Sequence, residues 1–154
     1  PRQPRLTELM QELREASGCL YFERRTEGEQ LKATMKTPHI VLGLLADQNA
    51  GDPGIWLPVF GRETSVSPAP AVFAQRYKCH IFPSACFRTA PGRWRIELGD
   101  EIPTRTEGKR RSTKAITQDI IAAQEETIRR DPANWFWVHN RWKPKQKPNK
   151  LRTN

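Results

Sequence analysis

The run His-Ile-Val-Leu-Gly-Leu-Leu-Ala at positions 39–46 constrains the fold of this chain more than any other stretch. It is nearly continuous in apolar residues and lacks the alternation of a half-exposed strand. That is the pattern of a strand buried on both faces. Such a strand needs covering layers above and below, which points to an α/β arrangement. The run is far too short to cross a bilayer. It ends at Asp47-Gln48 and gives way to the turn-rich stretch Asn49-Ala50-Gly51-Asp52-Pro53-Gly54.

The rest of the chain extends that reading. Leu6, Leu9, Met10 and Leu13 recur at helical spacing and Gly18 follows as a stop. Residues 19–22 read as a short strand, 27–36 as a helix, 55–60 as a strand, 68–78 as a helix and 79–88 as a strand. Pro91-Gly92 turns the chain into a strand over 93–98. Thr104 to Arg111 is a basic polar loop. Ser112 then caps a long helix carrying Ile116, Ile120, Ile121 and Ile128. This alternation predicts an α/β fold with a mostly parallel sheet flanked by helices. Trp56, Trp94, Cys79 and Cys86 fall on expected strands and are read as buried positions.

With 154 residues the chain fits one domain, but 36% hydrophobic content is low and leaves part of it weakly packed. A net charge of +9 favours anionic partners: phosphate groups, nucleic acid or acidic lipid. Three cysteines without a paired CxxC spacing argue against a disulfide framework and a structural zinc site, and no metal ligands are assigned. The segment Asp131 to Lys143, DPANWFWVHNRWK, is half aromatic and half cationic. That composition suits a boundary between an apolar phase and an anionic one. Trp135 and Trp137 are expected to face inward and dock the last helix. Trp142, Lys143, Lys145 and Lys147 are expected to face an anionic membrane. The domain spans residues 1–143, and the Pro- and Lys-rich stretch 144–154 is expected to be a disordered basic tail.

Three segments together resemble the bacterial late lipid A acyltransferases, of the lauroyl/myristoyl type, within the lysophospholipid acyltransferase superfamily. They are residues 44–83, residues 93–104, and a closing W-x-H-x-R-W-K signature formed by Trp137, His139, Arg141, Trp142 and Lys143. The resemblance covers residues 5–145 and implies the C-terminal portion of an acyltransferase domain. That family also carries an H-x4-D/E motif, in which the His takes a proton from the acceptor hydroxyl and the carboxylate orients the imidazole. Five residues after His39, His80 and His139 stand Leu44, Ala85 and Pro144, so no such motif is present. No catalytic residue is therefore assigned, the dyad is expected upstream of Pro1, and the isolated chain is expected to be inactive. His39 and His80 are read as structural.

The resemblance implies substrate contacts at Asp47, Gln48, Arg14, Arg24 and Arg62. Asp47 follows the expected buried strand, and in α/β sheets ligands sit beyond the carboxyl ends of strands; its alternative role is to shape the following loop. Arg14 and Arg24 suit a phosphorylated acceptor through the guanidinium fork, or else are solvated surface charges. Gly61, Arg62 and Thr64 precede a helix, but Pro68 and Pro70 remove N–H donors there, which favours a structural turn. The implied donor is an acyl-carrier-protein or acyl-CoA thioester. The implied acceptor is a phosphorylated lipid such as a lipid A precursor. The implied location is the cytoplasmic face of the bacterial inner membrane, and no cofactor is called for. The alternative reading is a non-catalytic basic nucleic-acid-binding module. It lacks a helix-turn-helix, an RNP-like aromatic pair and a Cys/His finger, so nucleic acid is not expected as a partner.

Overall fold

The computed structural model describes residues 3–22 and 27–144. The chain divides into two compact units, Pro1–Leu42 and Gly43–Asn154. The first unit holds α1, Pro4–Glu15, and α2, Gly28–Thr34. Proline in the first turn of α1 costs no hydrogen bond, because the N–H it lacks would be unpaired there. The chain leaves that helix through Gly18 at φ 73, a left-handed conformation that suits glycine. Leu6, Leu9, Met10 and Leu13 form the expected stripe, and it is exposed.

The second unit is built on three antiparallel hairpins and two helices. Its elements are β1 (Ile55–Val59), β2 (Arg62–Val66), α3 (Ala69–Tyr77), β3 (Ser84–Ala90), β4 (Arg93–Leu98), β5 (Arg105–Thr106), β6 (Lys109–Arg110) and α4 (Thr113–Arg130). A single 3-10 turn, Pro132–Asn134, follows α4. The pairs β1–β2, β3–β4 and β5–β6 are each antiparallel and each two-stranded. Each hairpin turns on a two-residue loop ending in glycine: Phe60-Gly61, Pro91-Gly92 and Glu107-Gly108. In the first and third loops both residues have positive φ, the geometry that matches strand twist in a tight hairpin.

The expectation of a mostly parallel sheet is corrected by these pairings. No parallel pair occurs among the described residues. Residues 39–46 and 19–22 form no strand, and Val41 and Leu45 are 97% and 89% exposed. A strand is a pairing rather than a property of one segment, and among the described residues no strand pairs with the apolar run. His39 also sits at φ 58, outside the extended region. The stretch after Phe60, expected as a structural turn, continues into β2, which pairs with β1 from Val59↔Arg62 to Ile55↔Val66.

The helix α4 organises the core. Its buried positions Ile116, Thr117, Ile120, Ile121 and Ile128 follow helical spacing. Ile121 packs with Leu57, Val59 and Val66 of the first hairpin. Ile116 and Ile120 pack with Ala71 of α3 and with Ile102. The helix starts as its sequence suggests: the Ser112 Oγ accepts the Ala115 N–H at 3.1 Å. Several expected core positions lie elsewhere. Trp94 is 62% exposed, Cys86 is exposed and Cys79 is half-buried. Trp94 and Cys86 alternate onto the same face of the β3–β4 hairpin, and both are exposed.

Candidate functional site

The loop after the apolar run is clasped by the closing aromatic segment. Asn49 is the hub. Its side-chain Nδ2 donates to the Arg141 carbonyl at 2.9 Å and to the Thr64 Oγ at 3.1 Å. Its Oδ1 accepts the Gly51 N–H at 2.9 Å, which bends the loop into an Asx turn. Its backbone N–H donates to the His139 Nε2 at 2.9 Å. That bond requires a lone pair on Nε2, so the imidazole is neutral with its proton on Nδ1. The loop is also tied to β2: the Ala50 N–H donates to the Ser65 carbonyl at 3.2 Å, and the Ser65 Oγ donates to the Gly51 carbonyl. Gly54 is required by close approach, since a Cβ there would sit 2.0 Å from the Ser65 Oγ and 2.9 Å from the Val66 carbonyl.

Arg141 is the one fully buried cation among the described residues, at 1% exposure. Its Nη1 donates to the Ser65 carbonyl at 2.6 Å. Its Nη2 is buried without a hydrogen-bond partner. Burial lowers the pKa of this guanidinium, and the negative charge of Asp47 acts in the opposite direction. The Arg141 guanidinium gives the Ser65 carbonyl a second donor beside the Ala50 N–H.

Asp47 stands beside this cluster and accepts the Trp135 indole N–H on Oδ2 at 2.9 Å. The rings of Trp135 and Trp137 meet edge-on at 4.5 Å, and Trp135 and Trp142 at 6.2 Å. Trp135 is half-buried as expected, whereas Trp137 is exposed. Trp142 packs against the Leu57–Val59–Val66–Ile121 cluster, and its indole N–H donates to the Val59 carbonyl at 3.1 Å. That placement corrects the outward-facing reading of Trp142: the core and a buried carbonyl already hold both its apolar body and its polar tip. Arg62, exposed, lies over the Trp142 ring at 5.4 Å. Lys143 is exposed.

Asp47 also lines an apolar cleft of about 360 Å³. Its walls come from β3 (Ala85, Cys86, Phe87), from α4 (Ile120, Gln124, Ile128) and from Phe136 of the closing segment. A smaller recess of about 280 Å³ is bounded by Leu45, Asp47, Gln48, Trp135, Phe136 and His139. The structure thus brings Asp47, Gln48 and the closing signature to one place. Arg62 lies over Trp142 and lines neither cleft. Arg14 belongs to the first unit, where its guanidinium lies over the Tyr21 ring at 5.5 Å. Arg24, Lys145 and Lys147 lie outside the described residues, as does the tail beyond Pro144.

Two features escape the sequence reading. Asn49 and Ser65 are ordinary polar residues whose roles depend on partners far along the chain; only the Asn-x-Gly spacing of an Asx turn signals Asn49 in advance. His80 does meet an acid, with Nδ1 2.7 Å from Glu101 Oε1, but at a spacing no short motif describes. Its side chain is 73% exposed and the pair lines none of the clefts above, so it is a surface contact.

A loop held against a signature segment beside an apolar cleft is compatible with a protein that handles an acyl chain, and the comparisons place the chain in an acyltransferase class. It belongs to the bacterial lipid A biosynthesis acyltransferase family, which it matches over residues 1–144. No curated protein matches it.

Proposed function

We propose that this chain forms the acyl-binding side of a late lipid A acyltransferase of the lauroyl/myristoyl type. The donor is an acyl-carrier-protein or CoA thioester, and the acceptor is a hydroxyl of a lipid A precursor or related lysolipid. The observation that carries the reading is the apolar cleft with Asp47 in its lining. Its volume of about 360 Å³ lies at the small end of ligand pockets, enough for one apolar chain and too small for a whole lipid. Asp47 lines this cleft, and with Gln48 it also lines the smaller recess, so the two would meet the polar end of such a ligand. The neutral imidazole of His139 is engaged by the Asn49 N–H, which suits it to orienting the loop rather than to accepting a proton from substrate. The 154 residues contain no H-x4-D/E motif, so the isolated chain binds but does not transfer. Its excess positive charge favours an acidic carrier, a phosphorylated acceptor and the anionic cytoplasmic face of the inner membrane.

The test is saturable binding of a fluorescent acyl-CoA to the full chain, read beside turnover with a lysolipid acceptor. Gln124→Trp, which fills the cleft from α4, should weaken binding at least about tenfold, the order of one lost apolar pocket contact. Undiminished affinity in that variant refutes the cleft as the acyl site. Measurable turnover by the chain alone refutes the claim of inactivity.

A further inference from the structure

One face of the β3–β4 hairpin inverts the usual pattern of a half-buried sheet. Trp94, Ile96 and Leu98 alternate along β4 on one face and are 62%, 72% and 70% exposed. Their cross-strand partners are Arg88, Cys86 and Ser84, all exposed. The opposite face carries the buried Phe87 together with Arg95 and Glu97. This hairpin therefore turns its large apolar residues to the outside and keeps charges on the face it shares with Phe87, the reverse of a sheet that uses its apolar face for the core.

Charge is polarised along the same hairpin. The tip, residues 88–93, carries Arg88 and Arg93 and no acid, and neither arginine makes an ion pair among the described residues. The acids Asp100 and Glu101 lie past Leu98 at the opposite end. The Trp94 indole sits between the cationic tip and the rest of the apolar stripe, and its N–H has no partner among the described residues. An amphipathic ring with a free polar tip belongs at a boundary between hydrocarbon and head groups.

We infer that the tip of this hairpin docks on an anionic lipid surface, with Trp94 and Ile96 dipping into the head-group boundary and Arg88 and Arg93 over lipid phosphates. The inference rests on the proposal that the chain works at a membrane, and it names the contact surface. A second copy of the chain is a poor occupant on area: a stable protein interface needs on the order of 800 Å² per partner. Three side chains supply roughly half of that, at about 150 Å² each.

The experiment measures co-sedimentation of the full chain with vesicles of phosphatidylcholine alone and of phosphatidylcholine with phosphatidylglycerol, at two salt concentrations. The wild type should bind the anionic vesicles and weaken as salt rises. W94S/I96S/L98S should lose at least about tenfold in partitioning. R88Q/R93Q should lose about fivefold per arginine toward anionic vesicles only. Because all these side chains are exposed, thermal unfolding should be unchanged. As a second readout, quenching of tryptophan emission by brominated anionic lipid should fall sharply in W94F. No binding by the wild type overturns both the membrane reading and this contact. Wild-type binding that survives the triple substitution, or quenching that survives W94F, overturns the hairpin contact alone. Capture of an acidic carrier protein through these residues, with no vesicle binding, assigns the face to a protein and overturns it as well.

Discussion

Asn49→Ala tests the clasp that holds the Asp47 loop. The substitution removes three side-chain hydrogen bonds: to the Arg141 carbonyl at 2.9 Å, to the Thr64 Oγ at 3.1 Å and from the Gly51 N–H at 2.9 Å. At about 1 kcal/mol net for each bond, the loss is ~3 kcal/mol. Two compensations reduce it. The Gly51 N–H is exposed and regains a bond from water. The Arg141 carbonyl still accepts the Thr64 hydroxyl. The expected destabilisation is therefore about 2 kcal/mol. For a chain of this length that corresponds to a Tm lower by about 4–8 °C. Asn49→Asp keeps only the Gly51 contact, because an ionised carboxylate donates no hydrogen bond, and should lose nearly as much. Urea unfolding with an unchanged m-value would place the effect in the folded state. A midpoint for Asn49→Ala within about 0.5 kcal/mol of wild type would show that the loop is held by something else, and the argument for a built site would fall.

Two further expectations concern the frame around the site. Ser112→Ala should destabilise by about 1 kcal/mol, since it leaves the Ala115 N–H uncapped at the start of α4, and Ser112→Asp should restore most of that; equal melting of wild type and Ser112→Ala would contradict it. Glu97→Gln should weaken the protein only above the ordinary carboxylate range. The hydrogen bond from Arg130, supported by the charges of Arg130 and Arg95, lowers the Glu97 pKa against a smaller opposing effect of burial. A depressed folded pKa means stability that is present above the unfolded value of about 4.3 and is lost as pH falls through the lower folded value. The wild type and Glu97→Gln should thus differ at neutral pH and converge in acid, and a difference that persists in acid would count against the pair.

Some of this architecture is legible from local rules. The α4 helix begins at a serine and carries isoleucines at helical spacing, and both features depend only on nearby residues. The strand 93–98 follows from a Pro-Gly turn and alternation, and the helix 69–77 from its apolar and small residues. The failures share one cause. Residues 39–46 look like a buried strand because apolar content reports burial tendency, while strand formation requires a partner that sequence does not name. The segment 62–66 looks like a polar turn for the converse reason: Thr64 and Ser65 are buried because β1 pairs with them and Arg141 caps them.

The same division runs through the site. The sequence alone determined the family, the absence of an H-x4-D/E motif within these residues and the excess of positive charge. Those follow from residue identity and order. Only the tertiary structure decided that Arg141 is buried and Trp142 packs on the core, that Asn49 joins residues some ninety positions apart, and that Trp94 faces outward. A side chain's direction depends on which element packs beside it. That choice is made by long-range pairing and excluded volume, which a motif read along one chain does not contain.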